Sequence, residues 1–198
     1  SADTLILVHE DMAPISIVRG GSDATWTAAT ISLTIPKHAF TLGKSEISGN
    51  VTPSATSGSI TLTSAGSSFL SAHVDQYFTR DDGFGRVRIV EFVSTSEVIG
   101  VVEVPFLNTT AIADSAHHIE NGYEDAWSAS KGYPRSATFH EGRLYFGGSK
   151  SLPNTLFGSK VNDFFNFKQT QALDDDAINA GLSSDRVNAI TGLFAARD

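Results

Sequence analysis

The sequence predicts a mainly β protein, with partial β-propeller blades and a small antiparallel β-barrel or sandwich inserted between them. Three observations lead there. Charged residues make up only 18% of the 198 and 17 Gly stand among many Ser and Thr, a mix that favours short strands joined by turns over long surface helices. Apolar and polar residues alternate over short runs, as in SITLTSAG (59–66) and RVRIVEFVS (86–94). Two distant segments, 4–26 and 143–167, also repeat one order: apolar strand, polar turn, proline, second apolar strand, Asp-containing turn, closing aromatic.

Along the chain, Thr4 to Val8 reads as a strand and Asp11 to Pro14 as a turn. Ile15 to Val18 is a second strand, closed by Gly20 and Gly21. Thr25 to Leu33 continues as strand with Trp26 as its largest side chain, and Pro36 interrupts it. From Lys37 to Asp125 the texture changes, with Ser, Thr and Gly dense over 45–68. Phe69 to Phe78 reads as a short helix or turn leading into a strand, and Asp81-Asp82-Gly83 as a turn. In 86–94 Val87, Ile89 and, after a shift, Phe92 point inward, while Arg86, Arg88 and Glu91 point outward. Glu97 to Val104 follows as a strand that Pro105 ends. Beyond Ala126 come strands at Ser136–Phe139, Arg143–Phe146 and Asn154–Gly158, with a turn at Glu141-Gly142. Near the end, Ser183-Ser184-Asp185 suits a helix cap over Val187 to Phe194, a run that fits a strand equally well. Three domains result: a first blade element over 1–36, an inserted β-domain over 37–125, and a second blade element with the C-terminal segment over 126–198. Units of this kind stacked radially form a propeller, and two of them cannot close one.

Composition narrows the chemistry. With no cysteine, a disulfide framework, a thiolate metal site and a cysteine nucleophile are excluded, which fits assembly in a reducing cytoplasm. A net charge of −8 makes the chain a poor grip for phosphate backbones. The apolar runs are too short for a membrane helix. The adjacent His117 and His118 would point to opposite faces of a strand and make poor joint ligands. Asp174-Asp175-Asp176 lacks the spacing of a calcium loop and reads as a solvated turn. Neither cofactor nor metal is expected.

One stretch is dense in motif: Trp127, Ser128, Gly132, Tyr133, Pro134, Arg135, Phe139, Arg143, Leu144, Phe146, Gly147, Gly148, Pro153, Thr155, Gly158, Ser159, Asp163, Phe164, Phe165, Asn166 and Phe167. Their order resembles that in tail structural proteins of short-tailed phages (podovirus type) and related prophages, the tail tubular or nozzle family, also called phage stabilisation proteins. ILVHED near the start, SSFLSAHVDQYF (67–78) and LDDDAI (173–178) are similar to that family too. The resemblance implies a propeller-bearing virion subunit, assembled in the host cytoplasm. It would join other tail proteins in a homo-oligomeric, hexameric ring through which DNA leaves. Family members are much longer, and the chain enters a strand almost at once, so it is expected to be an internal piece of a longer subunit.

The motif residues are expected to be architectural. Gly147 and Gly148 suit a sharp turn or a close backbone approach. Arg135 and Arg143 are expected to stack on Tyr133 or Phe139, or to pair with Asp163. A negative wall would let DNA pass without specific binding, because each phosphate contact would hold it. The alternative is a tail-associated glycan-binding or glycan-hydrolysing propeller. GGSDATW (20–26) faintly resembles a sialidase-type Asp-box, and Glu120 with Glu124 and Asp125 offers carboxylates, although hydrolysis needs a pair about 5 to 10 Å apart. No catalytic residue is assigned.

Overall fold

The structure, a computed structural model, describes residues 3–21, 24–170, 173–183 and 188–196. It is mainly β, built from three antiparallel sheets, none closed into a barrel. The chain divides into two compact units, one of residues 1–36 with 125–198 and one of 37–124.

In the first unit, β1 (Thr4–His9), β2 (Met12–Arg19) and β3 (Trp26–Thr30) form a three-stranded meander. The turn between β1 and β2 is Glu10-Asp11, two residues earlier than the sequence suggests, and Pro14 lies inside β2. The register explains how proline is tolerated there. Leu7 faces Ile15 and His9 faces Met12, so Ala13-Pro14 oppose Val8 alone and form a bulge. Pro14 needs no donor at this point, and its carbonyl accepts the Ile31 N–H at 2.9 Å.

The second sheet of this unit runs β11 (Ser136–His140), β12 (Arg143–Gly147), β13 (Thr155–Gly158) and β14 (Ile178–Gly181), again a meander. Its core is aromatic. Trp127, Phe146, Phe157 and Phe167 are all essentially buried, with Leu144 beside them. The two repeated segments therefore end differently. Trp26 opens a third strand and is 55% exposed, whereas Phe167 lies outside any strand and is 1% exposed. The Asp-box-like segment includes Ser22 and Asp23, which lie outside the described residues, as do Ser184, Asp185 and Val187 of the suggested C-terminal helix or strand. The described part, 188–196, forms neither.

The second unit holds one open sheet of seven strands, in the order β4 (Lys37–Ser45), β10 (His117–Asp125), β7 (Tyr77–Arg80), β8 (Arg86–Ser94), β9 (Glu97–Val104), β6 (Ser59–Ser64) and β5 (Val51–Pro53). It is neither a closed barrel nor a two-sheet sandwich. The edges do not meet because β5 is only three residues long and ends in Pro53, which cannot extend a ladder. A single bridge, Val51 to Ile112, continues from that edge. The core fills from both strands and loops: Val51, Ile60, Leu62, Phe78, Val87, Ile89, Val98 and Ile119 from the sheet, and Ile47, Phe69, Phe106 and Ile112 from the connections. The shift expected in 86–94 is a bulge at Val90, where the register against β9 slips between Ile89 and Glu91 and Phe92 returns to pack on the core. A 3-10 turn, Ser71–His73, precedes β7.

Candidate functional site

The motif from Trp127 to Phe167 folds into the first unit, and its residues are used in packing. The Trp127 indole meets Phe146, Phe157 and Phe167 edge-on, at centroid distances of 5.6, 4.9 and 5.2 Å. Phe146 stacks on Phe167 at 5.0 Å with 11° between planes. These are the offset and T-shaped geometries that aromatic quadrupoles favour. Trp127 Nε1 is buried without an acceptor among the described residues. Phe139 is half exposed and lies edge-on to Phe164 at 5.3 Å.

Arg143 is buried. Its Nη1 donates to the carbonyls of Ser159 at 2.6 Å and Asp176 at 2.5 Å, and its Nη2 donates to the carbonyl of Asp174 at 2.5 Å. It pairs with neither Asp163 nor an aromatic face: Asp163 is exposed and accepts from Asn166 Nδ2 at 3.0 Å. The reason is steric and local. Arg143 opens β12 pointing inward, where the 174–176 turn presents the carbonyls of Asp174 and Asp176 to its guanidinium. Ser159 closes the same joint, because its Oγ accepts the Leu144 N–H at 2.9 Å.

Arg135 binds differently. Its Nε donates to the Gly148 carbonyl at 2.7 Å, and its guanidinium sits 2.5 Å from the Glu10 carboxylate. Tyr133 N–H donates to the Glu10 carbonyl at 2.9 Å, and Lys150 pairs with Asp11. The Glu10-Asp11 turn is thus fixed onto the motif, which brings the β1–β2 hairpin and the second sheet together within one unit. Neither Tyr133 nor Phe139 stacks on an arginine among the described contacts.

The glycines act through close approach. Gly148 has φ +77°, and an added Cβ would lie 2.1 Å from the Ile190 carbonyl oxygen. Gly147 faces the Ile190 side chain, and Ile190 N–H donates to the Pro153 carbonyl at 2.8 Å. Gly132 has φ +79° and lies against Lys150, while Pro134 is buried behind it.

The reading of Asp174-Asp175-Asp176 as a solvated turn fails at its last residue. Asp176 is not solvated: it is buried and accepts from Thr170 N–H at 2.5 Å and Ala177 N–H at 2.9 Å, with Lys160 Nζ 3.4 Å away. Asp174 and Asp175 are exposed. Glu10 carried no sequence signal as an anchor, since only folding brings Arg135 to it.

In the second unit, His117 and His118 indeed part company. His117 Nε2 lies 3.1 Å from the Gly49 carbonyl and His118 Nδ1 2.8 Å from Asp81 Oδ1. Glu120 is held on the opposite side of the story from a general acid. Burial alone would raise its carboxyl, but Arg86 donates to it through Nε at 3.2 Å and Nη2 at 2.9 Å, and the net shift is downward. Thr79 Oγ1 also donates to it. Arg86 further bonds Glu103 at 2.6 Å and lies 3.5 Å over the Tyr77 ring. Burial, then Glu103, pushes the Tyr77 hydroxyl well above its usual range. A glycosidase acid needs its carboxyl raised, and Glu120 is lowered. Among the described residues no three His, Asp or Glu side chains gather as a metal site. Among the described residues no helix is long and apolar enough to cross a membrane.

No protein-family model matches the chain, and no curated protein matches it.

Proposed function

We propose that the chain is a non-catalytic structural subunit of a phage tail, of the nozzle or tubular-ring type, contributing to the conduit through which DNA leaves. The observation that carries this reading is an outward apolar sheet face. Leu5 and Leu7 on β1, Ile15 and Ile17 on β2, and Trp26 and Ala28 on β3 alternate onto one side of the three-stranded sheet, as their pairing register requires, with the Arg19–Asp3 ion pair and Thr30 at the two ends of the same side. Leu5 is 53% exposed and Trp26 55%. Contiguous apolar surface of this kind marks a contact with another protein or sheet. The four-stranded meander β11–β14 has the pattern of a propeller blade, and blades pack face to face. The β1–β3 face suits such a neighbour.

Two further points support the reading. The motif that resembles tail nozzle proteins is used for packing: Arg143 binds carbonyls, Arg135 binds Gly148 and Glu10, and Trp127, Phe146 and Phe167 pack on one another. The net charge of −8 suits passage of DNA without capture. In a ring the subunits meet head to tail through interfaces that close. Electron microscopy of the parent particle, with the chain located by a bound antibody fragment, tests this directly. A ring on the tail axis is expected, and a position on the capsid surface or on side fibres would overturn the reading.

A further inference from the structure

The second unit carries a cleft that none of the foregoing uses. It is open to solvent and offers about 880 Å³ between the end of β4 and the segments around 46–50, 68–73 and 113–115. That is the volume of a site for a small organic ligand, which falls at about 300–1,000 Å³.

Its lining is polar and unusually uncommitted. His73 is more than nine-tenths buried and lines the cleft. Its Nδ1 accepts the Leu70 N–H at 3.2 Å, which fixes the tautomer and leaves Nε2–H as a donor with no partner among the described residues. Asn50 Oδ1 accepts the Asp114 N–H at 3.2 Å, so its amide NH2 remains free to donate. Asp114 Oδ1 accepts the Gly49 N–H at 2.7 Å, which leaves its other oxygen open. Glu46, Ser48 and Ser115 line the same space, and the Ser48 carbonyl accepts from Ser64 Oγ at 3.5 Å, which leaves the Ser48 hydroxyl facing solvent. Leu70, 56% exposed, adds an apolar edge.

The set selects by charge. Two carboxylates and no Lys or Arg repel an anion. A bare cation would meet the Nε2–H of His73 and the amide of Asn50, which point donors at it, and a metal would find His73 protonated on its only free nitrogen. A neutral polyol meets both demands, because each hydroxyl donates to a carboxylate and accepts from an N–H. The C–H face of a pyranose fits the Leu70 edge. We propose that this cleft binds a neutral saccharide, with Glu46 and Asp114 as acceptors and His73 and Asn50 as donors. The inference concerns the second unit alone and stands independently of the tail assignment.

The test uses the full chain. It is screened on an array of neutral, sialylated and phosphorylated glycans, and the best neutral glycan is then titrated into isotope-labelled protein. Binding is expected with a dissociation constant of roughly 0.1–1 mM, as few contacts in an open cleft allow. Amide shifts should be confined to 45–50, 68–73 and 113–115. Ser48→Trp, which fills the cleft from an exposed position, and Asn50→Ala should each weaken binding at least about tenfold, close to the loss of one hydrogen bond to a charged or buried partner. Both should keep the remaining spectrum unchanged. No neutral glycan bound, a preference for sialylated or phosphorylated glycans, shifts elsewhere, or a Ser48→Trp variant that binds as before would each overturn the proposal.

Discussion

Arg143 donates to three backbone carbonyls and, among the described residues, to no carboxylate. Its work is geometric: a planar fork spans the Ser159 carbonyl on one side and the 174–176 turn on the other. A lysine carries the charge but not the fork. Arg143→Lys should therefore destabilise the chain by about 1–3 kcal/mol, the loss of one or two charged hydrogen bonds, and Arg143→Ala by more. Urea unfolding followed by fluorescence checks both, and equal stability of the lysine variant would contradict the joint described here. Trp127 offers a second contrast. Trp127→Ala should cost about 3–5 kcal/mol through the cavity it leaves. Trp127→Phe should cost far less, because it keeps a ring among Phe146, Phe157 and Phe167 and removes a buried N–H that lacks an acceptor. The close backbone approach at Gly147 and Gly148 was legible in the sequence, since glycine after an apolar strand suits it, and both lie against Ile190. The partners of the motif's arginines were not. Asp163 was the natural acidic neighbour for Arg143 by sequence, yet backbone carbonyls took the guanidinium, and Glu10 took Arg135 from 125 positions away.

At the scale of elements, strands that alternate cleanly were readable: β6, β8, β9, β11 and β12 all stand where the sequence puts them. Four others escaped notice. β4 (KHAFTLGKS) and β10 (HHIENGYED) are polar enough to pass for loops, and their polar groups find partners only across the folded sheet, as Asn121 does with Ser45. β5 and β14 are short edges with little hydrophobic signal. Closure was also illegible, because it depends on whether the two edge strands meet, and no local pattern encodes that. The β1–β3 sheet supplies a prediction at this scale. Its outward face is apolar without being part of the unit's core, so Leu5→Ser with Trp26→Ser should leave the melting temperature within a few degrees of the parent, as exposed substitutions do. The same pair should abolish incorporation into the tail particle. Sedimentation of assembled particles reads the second effect, and normal incorporation would remove this face from the assembly.

For the whole molecule, the distribution of titrating histidines separates the two units. His38, His73 and His117 all belong to the second unit, and burial lowers the pKa of each below the ordinary 6.5. For His117 the Gly49 carbonyl and nearby acidic groups offset only part of that effect. The unfolded chain therefore takes up protons near pH 6.5 that the folded unit refuses. Their contribution is fully present above the unfolded value and is lost as pH falls through it toward the lower folded values. Glu120, also lowered, extends the loss at more acidic pH. Calorimetry of the full chain at pH 7.5 and 5.5 should show the second unit's transition moving down. His117→Gln keeps a donor for the Gly49 carbonyl but cannot titrate, so it should shrink that movement. Hydrogen exchange resolved by residue assigns each transition to its unit. A His117→Gln variant with undiminished pH dependence would show that the acid sensitivity lies outside this buried histidine set.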